Sequence, residues 1–400
     1  MKSIFRKYVL FVRQPDVARM LAVALMTRMP VGMVGFSMLM FLRESLGSFA
    51  LAGTAVGANF IALAVAAPVQ GRLIDRYGAR RLLWVTGTLQ PLSFMGVLAA
   101  AKLGMAFPLV VACAVCGGLF ASPITTLTRT LWRHRFQNEE DRRTAFALDA
   151  VTIEINFTAG PALIAAVLAT AGATAAFWLA IVAMIAGLAI FIASPGLRYL
   201  KPEAGVRRHL LGPLTEPRLW MLFATTFGFA MAVGLLEVGY PGYATSLGYP
   251  ALGGLLLGAN SMGSALGGAL YGGLHFKAPV ERQYAAAIGL MVVPLFLHTI
   301  VGPTALFAVV AFFAGAMIAP SIAAQSVLVS RLAPSHYATE AFTWSSTSIV
   351  SGLGCGMALG GHLVEDLSVR SPFGVGAAIA AAMALLALAI VPARRAHAVR

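Results

Sequence analysis

Twelve apolar runs, each close to or above the length that crosses a bilayer, divide this chain almost from end to end. A hydrocarbon core about 30 Å thick is crossed by roughly 20 helical residues. The runs lie at roughly 18–42, 49–70, 82–101, 105–131, 145–169, 173–194, 219–242, 249–272, 283–302, 304–330, 340–362 and 372–392. Barrel strands would alternate over only about 10 residues, so these continuous runs predict helices. Composition agrees: 59% of residues are hydrophobic and 11% charged, against about 25% charged in an ordinary soluble domain. A mean hydropathy of +0.83 places the excess along the whole chain, not in a single anchor. The expected fold class is an all-α integral membrane protein with twelve transmembrane helices. No cleavable leader is expected, because the first apolar run already has full membrane length.

The 29 basic residues against 15 acidic ones carry topological information. Arg43, Lys102 and Arg370 fall on one side of the expected membrane, Arg28 falls inside it, and the remaining 25 lie on the other side. The positive-inside rule puts that side, and with it both termini, in the cytoplasm of a cell-membrane protein. The basic residues occur in small clusters between apolar runs, without a recognition motif. Lipid is therefore an expected partner and nucleic acid is not. Cys113, Cys116 and Cys355 all sit inside apolar runs and read as small buried hydrophobes. No metal or other cofactor is expected, and the absence of GxxxxGK[ST] excludes a P-loop nucleotide site.

The longest polar connection follows the sixth run. It divides the chain into a six-helix bundle over residues 1–194, a cytoplasmic loop over 195–218 and a second bundle over 219–400. Self-comparison supports two related halves. Gly57-Ala58-Asn59 reappears 201 residues later as Gly258-Ala259-Asn260, and Gly160 matches Gly356 at an offset of 196. Matching in the same direction indicates a parallel six-plus-six repeat, with the two bundles related by pseudo-two-fold symmetry.

The sharpest local signal joins the second and third runs as Gly71-Arg72-Leu73-Ile74-Asp75-Arg76-Tyr77-Gly78-Ala79-Arg80-Arg81. Glycine at a helix end permits close approach of a neighbour, Asp75 can accept from an arginine or a helix N-terminus, and Gly78 allows a tight turn. On Gly71, Asp75, Arg76, Gly78, Arg80 and Arg81 the chain resembles the major facilitator superfamily, whose GxxxDRxGRR signature stands here as GRLIDRYGARR. The resemblance extends to the twelve helices, the two halves and the long central loop. It implies alternating access, solute binding near the midplane, and a motif that holds the cytoplasmic gate in one state. The second-half counterpart, Gly272-Gly273-Leu274-His275-Phe276-Lys277, has Phe276 in place of the aspartate. Gly160-Pro161 is similar to the core of a motif in proton-driven exporters of this superfamily, although the paired glycines of the fuller pattern are replaced by Ile164-Ala165. Those exporters also carry a mid-helix arginine in the fourth helix, whereas Arg129 lies at that helix's cytoplasmic end. Independently of any family, a Gly-Pro inside a membrane helix can serve as a simple kink.

Charges in hydrocarbon are functional-site candidates by default. Arg28 lies near the midplane of the first helix, on a face that carries Ala24, Gly32 and Gly35 and should therefore pack inward. Glu154 lies at similar depth in the fifth helix, which allows the two to pair. Such a pair would serve as a solute anchor, a coupling switch or a structural tie. The fifth helix has a face bearing Asp149, Asn156 and Gly160 and another bearing Glu154, Thr158 and Pro161; the sequence leaves open which one meets a cavity. Ser122, Thr126, Arg129 and Arg133 form a polar stripe on the fourth helix, with Arg129 within reach of Asp75. Glu237 is expected near the outer mouth and His298 in a structural role. Asn59 and Asn260 are expected to hydrogen-bond either across the halves or within them. Met29, Met33, Met38 and Met40 suit either a soft ligand surface or a lipid-facing one.

These features point to a monomeric secondary transporter, proton-coupled, exporting small hydrophobic or amphipathic compounds. Uptake of a sugar, amino acid or organic ion by the same fold is the alternative. A membrane enzyme or sensor is a remote one, since no paired aspartates, HExxH, Ser-His arrangement or signalling domain is evident.

Overall fold

The computed structural model describes residues 11–136, 138–194, 216–274, 276–333 and 338–390. The central loop over 195–215 and the outermost termini therefore lie outside the described residues. Among the described residues thirteen α-helices run in order: α1 Pro15–Leu46, α2 Phe49–Tyr77, α3 Ala79–Lys102, α4 Phe107–Leu119, α5 Ile124–Arg135, α6 Glu139–Ala193, α7 Pro217–Ser246, α8 Leu252–Gly273, α9 Val280–Ile300, α10 Thr304–Gly315, α11 Ile318–Leu332, α12 Ala338–His362 and α13 Ser371–Leu388. Among the described residues no strand occurs, and ten helical stretches are long and apolar enough to cross a membrane. One of them, Thr144–Ala193, is 50 residues long, about 75 Å at 1.5 Å per residue, which is enough for two crossings. It turns at Gly172, whose φ of 83° and ψ of 173° are open to glycine but not to a side-chain-bearing residue. The remaining expected crossing, α8, has 22 residues but dilutes its apolarity with Asn260, Ser261 and Ser264.

The fourth and tenth crossings depart from expectation. Instead of single helices they are the broken pairs α4–α5 and α10–α11. Pro123 stands at the first break and cannot continue the upstream hydrogen-bond ladder. Polar side chains satisfy the groups it frees: Gln70 donates to the Leu119 carbonyl at 2.9 Å, and the Ser122 amide donates to Gln90 Oε1 at 3.2 Å. Such repair is what a bilayer demands of an interrupted helix.

The chain divides into two compact units, residues 1–206 with 240–258, and residues 207–239 with 259–400. The same close contacts recur in each. In the first unit Asn59 donates to the Ala114 carbonyl at 2.8 Å; in the second, Asn260 donates to the Ala311 carbonyl at 3.0 Å. Both asparagines therefore bond within their own unit. Gly118 abuts the Asn59 backbone as Gly315 abuts that of Asn260, and Gly160 meets Gly32 as Gly356 meets Gly234. Asn59→Ala and Asn260→Ala are each expected to cost about 0.5–1.5 kcal/mol. Without shared partners their effects should add, as read from unfolding midpoints in mixed detergent micelles.

Three sequence expectations are corrected. Met33, Met38 and Met40 are at most 2% exposed, so they belong to the core of the first unit and offer neither a ligand surface nor a lipid face. Cys116 is exposed, and Cys113 and Cys355 are only partly buried, because their helix faces point partly outward. Ser122 sits in the break between α4 and α5, so the polar stripe on the fourth crossing is not one continuous helical face. His298 is fully buried, donates to the Pro294 carbonyl at 2.7 Å and stacks on Phe373.

Candidate functional site

α1 and α6 pack side by side because small groups face each other. A Cβ at Gly160 would stand 2.8 Å from the Gly32 carbonyl carbon, and one at Gly32 would strike the Asn156 carbonyl. This close approach selects the face of α6 that meets α1, namely Asp149, Asn156 and Gly160. Inward from that contact, one turn along α1 from Gly32 and two along α6 from Asn156, Arg28 and Asp149 face each other and bind.

Arg28 donates from Nη1 to Asp149 Oδ1 at 2.7 Å and from Nη2 to Oδ2 at 3.3 Å. The guanidinium also donates to the Thr152 hydroxyl at 3.3 Å and to the Thr125 carbonyl at 3.4 Å. Such a bidentate fork is the strongest geometry open to a carboxylate and an arginine. Arg28 is 2% exposed and Asp149 1%, so water contributes little to either. Trp132 adds a third donor, its indole Nε1 lying 3.0 Å from Asp149 Oδ1. The indole is fixed by Phe11, Val17, Phe136 and Ala145 around it, with Phe136 stacked at 6.1 Å. Arg129, 59% exposed, brings its Nε to 3.8 Å from Asp149 Oδ2. Buried Arg28 Nε, by contrast, has no hydrogen-bond partner, and neither does any polar atom of the Asn156 side chain.

The expected partner of Arg28 was Glu154, and this is corrected: Arg28 binds Asp149. Counting residues from the helix start places both carboxylates near the right depth, but only the helix face decides between them. Glu154 lies five residues beyond Asp149, on the side of α6 turned away from α1. The signal was present in the sequence, since the small-residue face of α1 should meet the face of α6 that carries a small residue at Gly160. Trp132 and Thr152 were not anticipated; an indole among arginines at a helix end looks like ordinary interfacial anchoring.

The Asp75 segment folds as its glycines require. Gly78 takes φ 84° between α2 and α3, and its amide bonds the Ile74 carbonyl at 2.8 Å. Arg76, Arg80 and Arg81 are exposed, and the Arg76 guanidinium lies 5.1 Å from the Tyr77 ring centre. Gly71 is half-buried; the side chain of Asp75 lies outside the described residues. Arg129 reaches Asp149; its expected contact with Asp75 involves a side chain outside the described residues. Pro161 sits within α6, and a Cβ at Gly254 would lie 2.5 Å from the Pro161 carbonyl oxygen.

The arrangement resembles solved transporters. The structure superposes on the nucleoside transporter NupG (D323A mutant) with a TM-score of 0.76 and 13% identity, covering 94% of this chain and 99% of that one. A bacterial homologue of the iron transporter ferroportin, in its inward-facing state, gives 0.72 at 15% identity, with 94% and 98% covered. At such identities the likeness establishes the fold alone. No curated protein matches significantly. The sequence profile described as Major Facilitator Superfamily matches residues 20–347, well over half the chain. Together with the helical fold, that match shows that the chain belongs to the major facilitator superfamily, a family of membrane transporters and not of enzymes.

Proposed function

We propose that this protein is a secondary active transporter working by alternating access, a monomer in the cell membrane with both termini cytoplasmic, which exports small hydrophobic or amphipathic compounds in exchange for protons. The observation that carries this reading is the buried ion pair of Arg28 and Asp149. One carboxylate there receives two arginines and an indole, so a single proton on it would weaken four contacts together. It would also leave Arg28 uncompensated between α1 and α6. A buried charge cluster of this kind makes a discrete two-state element, which coupling requires. The Gly160-Pro161 pair supports export through its likeness to the exporter motif. Gly71, Asp75, Arg76, Gly78, Arg80 and Arg81 are assigned to the cytoplasmic gate.

Uptake of a small polar metabolite is the second reading, and Asn156 favours it. Its buried amide offers an unused donor and an unused acceptor, which a solute bearing both could engage. The two readings separate in an efflux-deficient bacterium expressing this chain and challenged with a panel of dyes and drugs. Export predicts several-fold lower accumulation, reversed by a protonophore and lost in Asp75→Asn. Accumulation equal to the empty-vector control across the panel would count against export. Wild-type behaviour of Asp75→Asn would remove the gating assignment.

A further inference from the structure

Arg28 and Asn156 leave buried polar atoms unmatched on one interface. The guanidinium is held through its two Nη atoms while Nε has no partner, and neither polar atom of the Asn156 amide is engaged. Both side chains are 2% exposed. Leaving buried donors and acceptors unpaired is expensive, so such groups call for a use.

α1 and α6 lie side by side and run in the same direction. The guanidinium touches the Thr152 hydroxyl at 3.3 Å, and one turn further along each helix Gly32 abuts the Asn156 carbonyl. The Arg28 backbone is therefore about level with Thr152. Asp149 lies inward of that level by about 4.5 Å and Asn156 outward by about 6 Å, and all three share one face of α6. A helical side chain leans toward the N-terminus of its helix. That lean brings the Asn156 amide inward, toward Arg28, and Gly32 puts no side chain between them. Arg28 thus stands between the acceptor that holds it and a second one that is idle. The second unit lacks the whole set. At the offset that matches Gly160 with Gly356, Asp149 and Asn156 correspond to Ser345 and Gly352; at the offset that matches Gly32 with Gly234, Arg28 corresponds to Ala230. Where the charges are missing, so is the amide.

We propose that Asn156 is the second acceptor of Arg28: when an Asp149 oxygen takes up a proton, the guanidinium leaves the neutralised carboxyl and donates to the Asn156 amide oxygen. This rests on the proton-exchange reading above and gives Asn156 its part in it, as a positioning residue. The charged groups that face Asp149 are Arg28 from α1 and Arg129 from α5. Arg129 is 59% exposed, so water can receive it on release. Arg28 is sealed between helices and needs an acceptor from the protein. A neutral amide suits that task. A charged carboxylate binds a guanidinium more strongly than an amide does, so Asp149 holds Arg28 while ionised and yields it when protonated. A second carboxylate in place of Asn156 would keep the arginine for good.

Unfolding midpoints of the purified full-length protein in detergent test this without any solute. Asn156→Leu is introduced into the wild type, into Asp149→Asn, and into Asp149→Asn combined with Arg28→Met. In the wild type the amide is idle, so its loss changes packing alone. In Asp149→Asn the carboxylate charge is permanently gone and the amide holds Arg28, so Asn156→Leu should lower the midpoint by about 2–4 °C more than in the wild type. With the arginine removed as well, the extra drop should vanish. Whatever Leu costs in fitting is common to all backgrounds, and Asn156→Ala repeats the series should Leu fail to fold. Equal shifts throughout, or an extra drop that persists without Arg28, would overturn the proposal. In cells, Asn156→Leu should cut protonophore-sensitive export of a panel compound several-fold; export at the wild-type rate would contradict the role. The two readouts fail separately. An Arg28-dependent drop in a protein that moves no panel compound supports the second acceptor and counts against transport. Export by the wild type with equal shifts leaves the transport reading standing and removes Asn156 from it.

Discussion

Asp149→Ala is expected to destabilise the protein by about 3–5 kcal/mol and to abolish transport. The loss is large because Arg28, 2% exposed, would stay buried beside α6 with no counter-ion, while Trp132 and Thr152 would lose an acceptor or a neighbour. Removing both charges together is a different experiment. Arg28→Met with Asp149→Leu leaves no unpaired charge and restores apolar packing, so most of the lost stability should return. Transport should not return, because the element that a proton can switch is gone. Thermal unfolding in detergent reads the first quantity and accumulation in cells reads the second. A double variant that recovers both would reduce the pair to a structural tie.

The second large effect is expected at the contact between α1 and α6. Gly160→Val must force the two helices apart, since even a Cβ there would lie 2.8 Å from the Gly32 carbonyl carbon and 3.1 Å from its Cα. Overpacking of this kind costs about 1–3 kcal/mol. The Arg28–Asp149 fork bridges the same two helices, about one turn from Gly32 along α1 and about three from Gly160 along α6, so separating them also lengthens its bonds. Gly160→Val and Asp149→Ala should therefore be non-additive, with a coupling of about 0.5–3 kcal/mol. Unfolding midpoints for the two single variants and the double close the cycle; simple additivity would mean that the helix contact does not position the pair. Gly356→Val tests the equivalent contact with Gly234 in the second unit, where no ion pair lies nearby among the described residues, and should cost stability without this coupling.

Much of the architecture was legible because membrane helices announce themselves by length and apolarity. The repeat was legible for a chemical reason: Asn59 and Asn260 must hydrogen-bond somewhere in hydrocarbon, and each does so at an equivalent carbonyl. The breaks at 120–123 and 316–317 were not, because apolar composition continues through them and, at the first, the repairing groups Gln70 and Gln90 come from other helices. The site was half-legible. Arg28, Asp149, Asn156 and Arg129 stand out as polar groups in apolar runs. The choice between Asp149 and Glu154, however, depends on helix rotation, which the glycine contacts set and residue counting does not. Trp132 reaches Asp149 only because α5 restarts after a break that no periodicity marks.

Proton coupling through Asp149 is the centre of the account, and inverted membrane vesicles measure it most directly. With respiration acidifying the lumen and an acridine dye quenched, adding a panel compound that the wild type exports from cells should release protons and restore fluorescence in wild-type vesicles. Asp149→Asn vesicles, with the protein present at equal abundance, should show no recovery. Equal recovery in the two would contradict the account, since protons would then cross without the carboxylate that is held to carry them.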